Sequence, residues 1–130
     1  MTVQQWVDAY ADAWRERDAE AAAALFREDS SYRSHPLQEA HLGSEGVRSY
    51  WETVTAAQDA VDVRMGAPVA SDDGRRAAVE FWVRMRNSGD EVTLIGILFL
   101  RFAEDGRCED LRETYFFEPG DHAPHAGWGA

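Results

Sequence analysis

Trp6-Val7-Asp8-Ala9-Tyr10-Ala11-Asp12-Ala13-Trp14, continued by Arg17-Asp18, Leu25-Phe26-Arg27-Glu28-Asp29 and Tyr32-Arg33-Ser34-His35-Pro36, is the stretch that decides the fold. Val3, Trp6, Val7, Tyr10, Ala13 and Trp14 recur at three- and four-residue spacing, which predicts a helix over 3–15 with one apolar stripe. Asp8, Asp12, Arg15 and Glu16 fall on its other side. Asp18 is placed to cap a second helix over 19–26, with Glu20 near the positive end of its dipole. Residues 30–34 can run extended, and Pro36 biases His35 away from α geometry. An aromatic stripe, a turn, and a histidine at the end of a short strand are the parts with which a small α+β cone lines a pocket.

Outward from this stretch, Gly43 breaks the chain, Ser44 is placed to cap, and Val47, Tyr50, Trp51 and Val54 repeat at helical spacing in a third helix. From Val61 the period becomes two, punctuated by Asp72-Asp73-Gly74, Ser88-Gly89-Asp90 and Glu104-Asp105-Gly106. Strands are expected over 61–65, 67–71, 76–87, 91–102 and 108–117, as an antiparallel meander. Helices first and a long-stranded sheet afterwards make a segregated α+β domain over 1–118. The Gly/Pro-rich tail 119–130 is expected as a loop, with Trp128 a candidate lid over the cavity mouth. Strand parity puts Val79, Phe81, Val83 and Met85 on one face, and Glu80, Trp82, Arg84 and Arg86 on the other. In the next strand Leu94, Leu98 and Leu100 face one way and Ile95, Ile97 and Phe99 the other, so that strand is apolar on both sides. The helices cover only one face. A second copy covering Trp82, Ile95, Ile97 and Phe99 is therefore expected, giving a homodimer.

Composition narrows the function. The chain has 130 residues and a formal net charge of -11, which repels phosphate backbones and anionic lipid surfaces, so neither nucleic acid nor membrane is an expected partner. All 13 basic residues are arginine, which excludes Schiff-base chemistry through a lysine. The single cysteine, Cys108, has no intrachain partner and falls on the outward parity of its strand; with no leader pattern at the N-terminus, a cytoplasmic setting is expected. The longest apolar run, residues 94–100, is too short to span a bilayer. His122 and His125 have a His-x-x-His spacing but no third ligand, and no phosphate loop or nucleophile elbow occurs. No metal and no cofactor is expected.

The Tyr10 and Trp14 helix, the Arg17-Asp18 turn, Leu25-Phe26 with Glu28-Asp29, the His35-Pro36 corner, Gly43 before Tyr50-Trp51, and the last hairpin from Leu100-Arg101-Phe102 through Gly106 to Arg112-Glu113 together resemble the nuclear transport factor 2-like superfamily. Within it the chain is similar to SnoaL-like and ketosteroid-isomerase-like proteins. The resemblance implies an α+β, NTF2-like cone: three N-terminal helices on a strongly curved antiparallel sheet enclosing a mostly apolar cavity, commonly dimeric through the outer face. It fixes no reaction, because the superfamily includes isomerases, dehydratases, cyclases, hydrolases and pure binding proteins. The isomerases' oxyanion-donating tyrosine matches Tyr10 and their catalytic carboxylate matches His35, allowing one inserted residue. Their second, acidic donor matches Leu98, and their supporting tyrosines match Phe26 and Trp51. Steroid isomerisation by that mechanism is therefore not expected.

By the same alternation Leu111, Glu113 and Tyr115 of the last strand turn inward, so Tyr10, His35, Glu113 and Tyr115 become the polar groups of an apolar chamber. His35 as base, Glu113 as its orienter and Tyr10 as donor form the candidate catalytic set. Trp14, Tyr32, Trp51, Phe81, Val83, Met85, Leu98, Leu111 and Tyr115 are the candidate ligand-binding wall. The expected role is cofactor-free acid/base chemistry on a small apolar carbonyl compound: isomerisation, dehydration or cyclisation. Two alternatives stay open: a non-catalytic binding protein for a hydrophobic small molecule, and a structural dimerisation domain.

Overall fold

The computed structural model describes all 130 residues. Helix α1 (Val3–Glu16) begins at a reciprocal cap, in which Thr2 accepts from the Gln5 backbone and the Gln5 side chain accepts from the Thr2 N–H. It ends at Arg17, whose left-handed φ of 54° turns the chain. Asp18 caps α2 (Ala19–Ala23) by accepting from the Ala21 N–H. Then follow β1 (Phe26–Arg33), β2 (His41–Leu42), α3 (Gly43–Thr55), β3 (Gln58–Met65), β4 (Val69–Ala70), β5 (Arg76–Asn87), β6 (Asp90–Phe102) and β7 (Cys108–Pro119). The second helix stops before its expected end. Phe26 is needed in the sheet, where it lies opposite Cys108, and its buried ring meets Trp6 edge-on at 5.7 Å.

Seven strands form one curved, unclosed sheet in the order β2-β1-β7-β6-β5-β3, with β4 paired to β5. The sheet is mixed, not purely antiparallel: β1 runs parallel to β7, while every other pair is antiparallel. Three helices pack against the concave face. The buried stripe of α1, Trp6, Val7, Tyr10, Ala13 and Trp14, meets Val79, Phe81 and Val83 of β5, Leu98 and Leu100 of β6 and Leu111 of β7 in a single core. Gly96 lies between Phe81 and Tyr115 in register, and a Cβ there would sit 2.8 Å from both side chains. The missing side chain is what lets the Thr114 carbonyl, the Phe81 ring and the Tyr115 Cβ close on β6 at this point.

Three register shifts interrupt the sheet; one lies in β1 between Phe26 and Ser31, and the other two are bulges that decide where Cys108 and Gln58 point. Between β6 and β7 the register slips past Glu109, so that Phe102 faces Cys108; the thiol therefore points into the core, fully buried, and not outward as strict alternation predicts. Between β3 and β5 the slip falls between Asp59 and Asp62, around Ala60 with φ 52°. Strand β3 starts at Gln58, three residues earlier than the hydrophobic pattern implies, and Gln58 points inward beside Val63 of opposite parity.

The tail crosses the convex face, not the cavity mouth. Gly120 accepts from the Thr93 hydroxyl, the His122 carbonyl accepts from Trp82 Nε1 at 2.7 Å, and Trp128 meets Trp82 edge-on at 5.7 Å. Trp82, expected to face a partner, is thus covered by its own chain. Ile97, Phe99 and Phe116 stay uncovered on the same convex face, at 49, 38 and 70 % exposure.

Candidate functional site

The concave sheet, α1 and α3 leave a pocket of about 300 Å³ at the wide end of the cone. Tyr10 and Trp14 reach it from α1, Tyr32 from β1, and Tyr50, Trp51 and Thr55 from α3. Gln58 of β3, Met85 and Asn87 of β5, Leu94 of β6, and Glu113, Tyr115 and Phe117 of β7 complete the wall. The helical spacing of Tyr50 and Trp51 and the strand alternation of Glu113, Tyr115 and Phe117 aim them at the same space. The aromatic rings brace one another: Trp51 stands edge-on to Tyr10 at 5.3 Å and to Trp14 at 6.2 Å.

Of the candidate catalytic residues, the fold joins Tyr10 to Glu113 and leaves His35 out. The Tyr10 and Tyr32 hydroxyls lie 3.2 Å apart, and the Tyr32 hydroxyl donates to Glu113 Oε1 at 3.5 Å. His35 is exposed in the connection after β1, and its Nδ1 accepts from the Leu37 N–H at 3.1 Å. The reason is register. Strand β1 ends with Arg33 opposite Arg112, so the chain has left the sheet before His35 could stand beside Glu113. The expected pairing of His35 with Glu113 does not occur.

Among the candidate wall residues, Trp14, Tyr32, Trp51, Met85 and Tyr115 do line the pocket. Phe81, Val83, Leu98 and Leu111 do not. All four are fully buried beneath α1, where Trp6 stacked on Tyr10 at 5.1 Å helps fill the narrow end of the cone. Tyr50, Thr55, Gln58, Asn87 and Phe117 were not anticipated. Tyr50 and Phe117 carry the periodicity that could have placed them; Gln58 is turned inward by the β3 bulge, which no pattern in the sequence announces. His41, also unanticipated, stacks on Tyr50 with ring centroids 4.1 Å apart, and burial lowers its pKa.

The electrostatics centre on Glu113. It is 9 % exposed, no arginine or histidine lines the pocket, and burial pushes its carboxyl from an ordinary 4.5 up to about 8, partly opposed by the Tyr32 hydroxyl. Glu113 is thus mostly neutral at pH 7. Burial, reinforced by the nearby Glu113, raises Tyr10 and Tyr32 well above the usual tyrosine value and takes Tyr50 up to about 12. The phenols act only as hydrogen-bond partners. Burial also lifts Cys108 to about 12, which leaves an unreactive thiol donating to the Asp110 carbonyl. In the tail, the His122 ring is engaged with the Pro119 carbonyl at 2.8 Å.

A helical layer on a curved open sheet with a pocket at its wide end defines an NTF2-like α+β cone. The sequence profile of the SnoaL-like domain matches residues 7–110, and the chain belongs to that family. Among solved structures, the epoxide hydrolase/cyclase-like enzyme SalBIII, described in pyran ring formation in the polyether salinomycin, superposes with a TM-score of 0.78 at 18 % identity, over 90 % of this chain and 95 % of that one. A ketosteroid isomerase-like protein from Catenulispora acidiphila, in complex with trimethylamine, gives 0.77 at 20 % identity, over 88 % and 87 %. At these identities the likeness is one of fold. No functionally curated protein matches the chain. Glu113 lies beyond the matched family segment, and no helix is long and apolar enough to cross a membrane.

Proposed function

We propose that this SnoaL-like protein binds a small, largely apolar molecule and moves a proton on it through Glu113, with Tyr32 and Tyr10 as the hydrogen-bonded chain behind the carboxyl. The observation that carries the reading is one buried carboxyl, with no cation beside it, in the wall of an aromatic pocket. As the neutral acid Glu113 donates to a carbonyl or ether oxygen; as the carboxylate it accepts a proton from the adjacent carbon. With a pKa of about 8 both forms are present near neutrality, the carboxylate at about one part in ten at pH 7. Tyr32 donating to Oε1 leaves Oε2 for the ligand. Isomerisation, dehydration and cyclisation all fit such a group. SalBIII, by its description a cyclase-like enzyme, is consistent with the last of these. A second copy on Ile95, Ile97, Phe99 and Phe116 is part of the same proposal, in a cytoplasmic setting.

Hydrogen exchange tests the chemistry without the natural substrate. Small cyclic ketones incubated with the protein in D2O should exchange their α-protons faster than in buffer, as read by NMR. The rate should rise with pH and level off above about 8, and Glu113→Gln should abolish it. Ketones that bind but exchange no faster than in buffer would assign the pocket to binding alone, the second reading that its aromatic wall supports.

A further inference from the structure

Across the sheet from the acid, with β6 and β5 between them, β3 carries a second polar group of the wall, whose orientation the chemistry of its neighbour determines. Trp14 Nε1 lies 3.0 Å from the Gln58 side chain. An indole N–H only donates, so the amide must present Oε1 to it, and Nε2 is left as the free end. Gln58 is 7 % exposed and lines the pocket, yet its Nε2 donates to no protein atom; the only buried side-chain polar atom that is both sealed from solvent and unpartnered is Ser30 Oγ. The Gln58 amide nitrogen therefore keeps accessible surface in the pocket wall. Asn87 is the cross-strand partner of Gln58 and lines the same pocket, so two amides stand side by side there.

We infer that Gln58 is a specificity-determining donor: it receives a second oxygen acceptor of the ligand, at the end of the pocket away from Glu113. This rests on the pocket reading above and adds the ligand's class, an apolar molecule with no anionic group and with oxygen functions at both ends. The wall holds no cation to pair with an anion, and the chain carries a net charge of -11. Trp14, hydrogen-bonded to Gln58, and Tyr10, linked through Tyr32 to the acid, pack edge-on with ring centroids 6.2 Å apart, so aromatic surface joins the two polar ends. An amide tethered by Trp14 has lost its rotational freedom before the ligand arrives, so its donation is selective for an acceptor at that one place.

The test uses two probes of the same shape, 2,6-diacetylnaphthalene and 2-acetyl-6-isopropenylnaphthalene, which differ in one C=O against one C=CH2. Isothermal titration of the full chain should show wild type favouring the diketone. Gln58→Met should reduce that preference about two- to tenfold, the span of one net hydrogen bond, while binding the alkene as wild type does. If Gln58→Met fails to fold for want of a partner for Trp14 Nε1, the double variant Trp14→Phe with Gln58→Met orphans no donor, and its preference compared with that of Trp14→Phe alone gives the readout, because Trp14 is itself part of the wall. An unchanged preference overturns the role of Gln58 and leaves the pocket reading standing; binding of neither probe by wild type overturns both.

Discussion

Replacing Glu113 by Gln should make the protein more stable, by a margin that opens above about pH 4.5 and is complete above about 8. The folded carboxyl titrates near 8 against an ordinary 4.5, so the fold favours the protonated form. That advantage is complete below the unfolded value, and it is lost as the pH rises through 4.5 towards 8, where the folded group is also forced to ionise. Each tenfold change in an acid constant is about 1.4 kcal/mol, so the displacement amounts to on the order of 5 kcal/mol above pH 8. Water entering the open pocket reduces this, and about 3–5 kcal/mol is the expected gap. Glutamine keeps the shape and an oxygen for the Tyr32 hydroxyl while removing the charge. Urea unfolding at pH 5, 7 and 9 should show the two proteins close at pH 5 and the variant increasingly ahead towards pH 9. A gap that does not change with pH, or a variant less stable at pH 9, would refute the assignment of Glu113 as a buried, unpaired acid.

The remaining predictions concern packing and assembly. Gly96→Ala should destabilise by about 1–3 kcal/mol or more, because its methyl group meets the Thr114 backbone carbonyl first and then Phe81 and Tyr115; the measurement is a urea midpoint, with displacement of β7 at Tyr115 read as a weakened affinity for pocket probes. The proposed pairing predicts a dimer by light scattering for the native chain and a monomer for Ile97→Asp with Phe116→Asp, with circular dichroism unchanged, since both side chains point away from the core. Truncation after Pro119 should uncover Trp82, seen as a red shift of its fluorescence, because His122 and Trp128 supply its cover.

The cone was legible because its main signals are local. The stripe from Trp6 to Trp14 and the alternation through β5 and β6 each constrain a face with five or more residues, and those faces are where the sequence put them. Glu113 and Tyr10 line the pocket on the faces that the same reasoning gives them. His35 was misplaced because its position depends on where β1 stops pairing with β7, a parallel contact between segments some 80 residues apart that carries no turn signature. Phe81, Val83, Leu98 and Leu111 were assigned to the wall because alternation says which way a side chain points, not whether the space it reaches is filled. Trp6 and Tyr10 fill that space. Cys108 and Gln58 were missed for one shared reason, a single extra residue in a strand, which reverses every assignment beyond it.

The kink at Ala60 gives this scaffold an unusually economical way to vary. Because one backbone irregularity decides whether an amide or the neighbouring Asp59 looks into the chamber, relocating it along β3 would exchange a neutral donor for an anion, with the loss of the one hydrogen bond that Trp14 of α1 makes to Gln58. Relatives that differ only in where β3 buckles would then accept chemically opposite guests within the same walls.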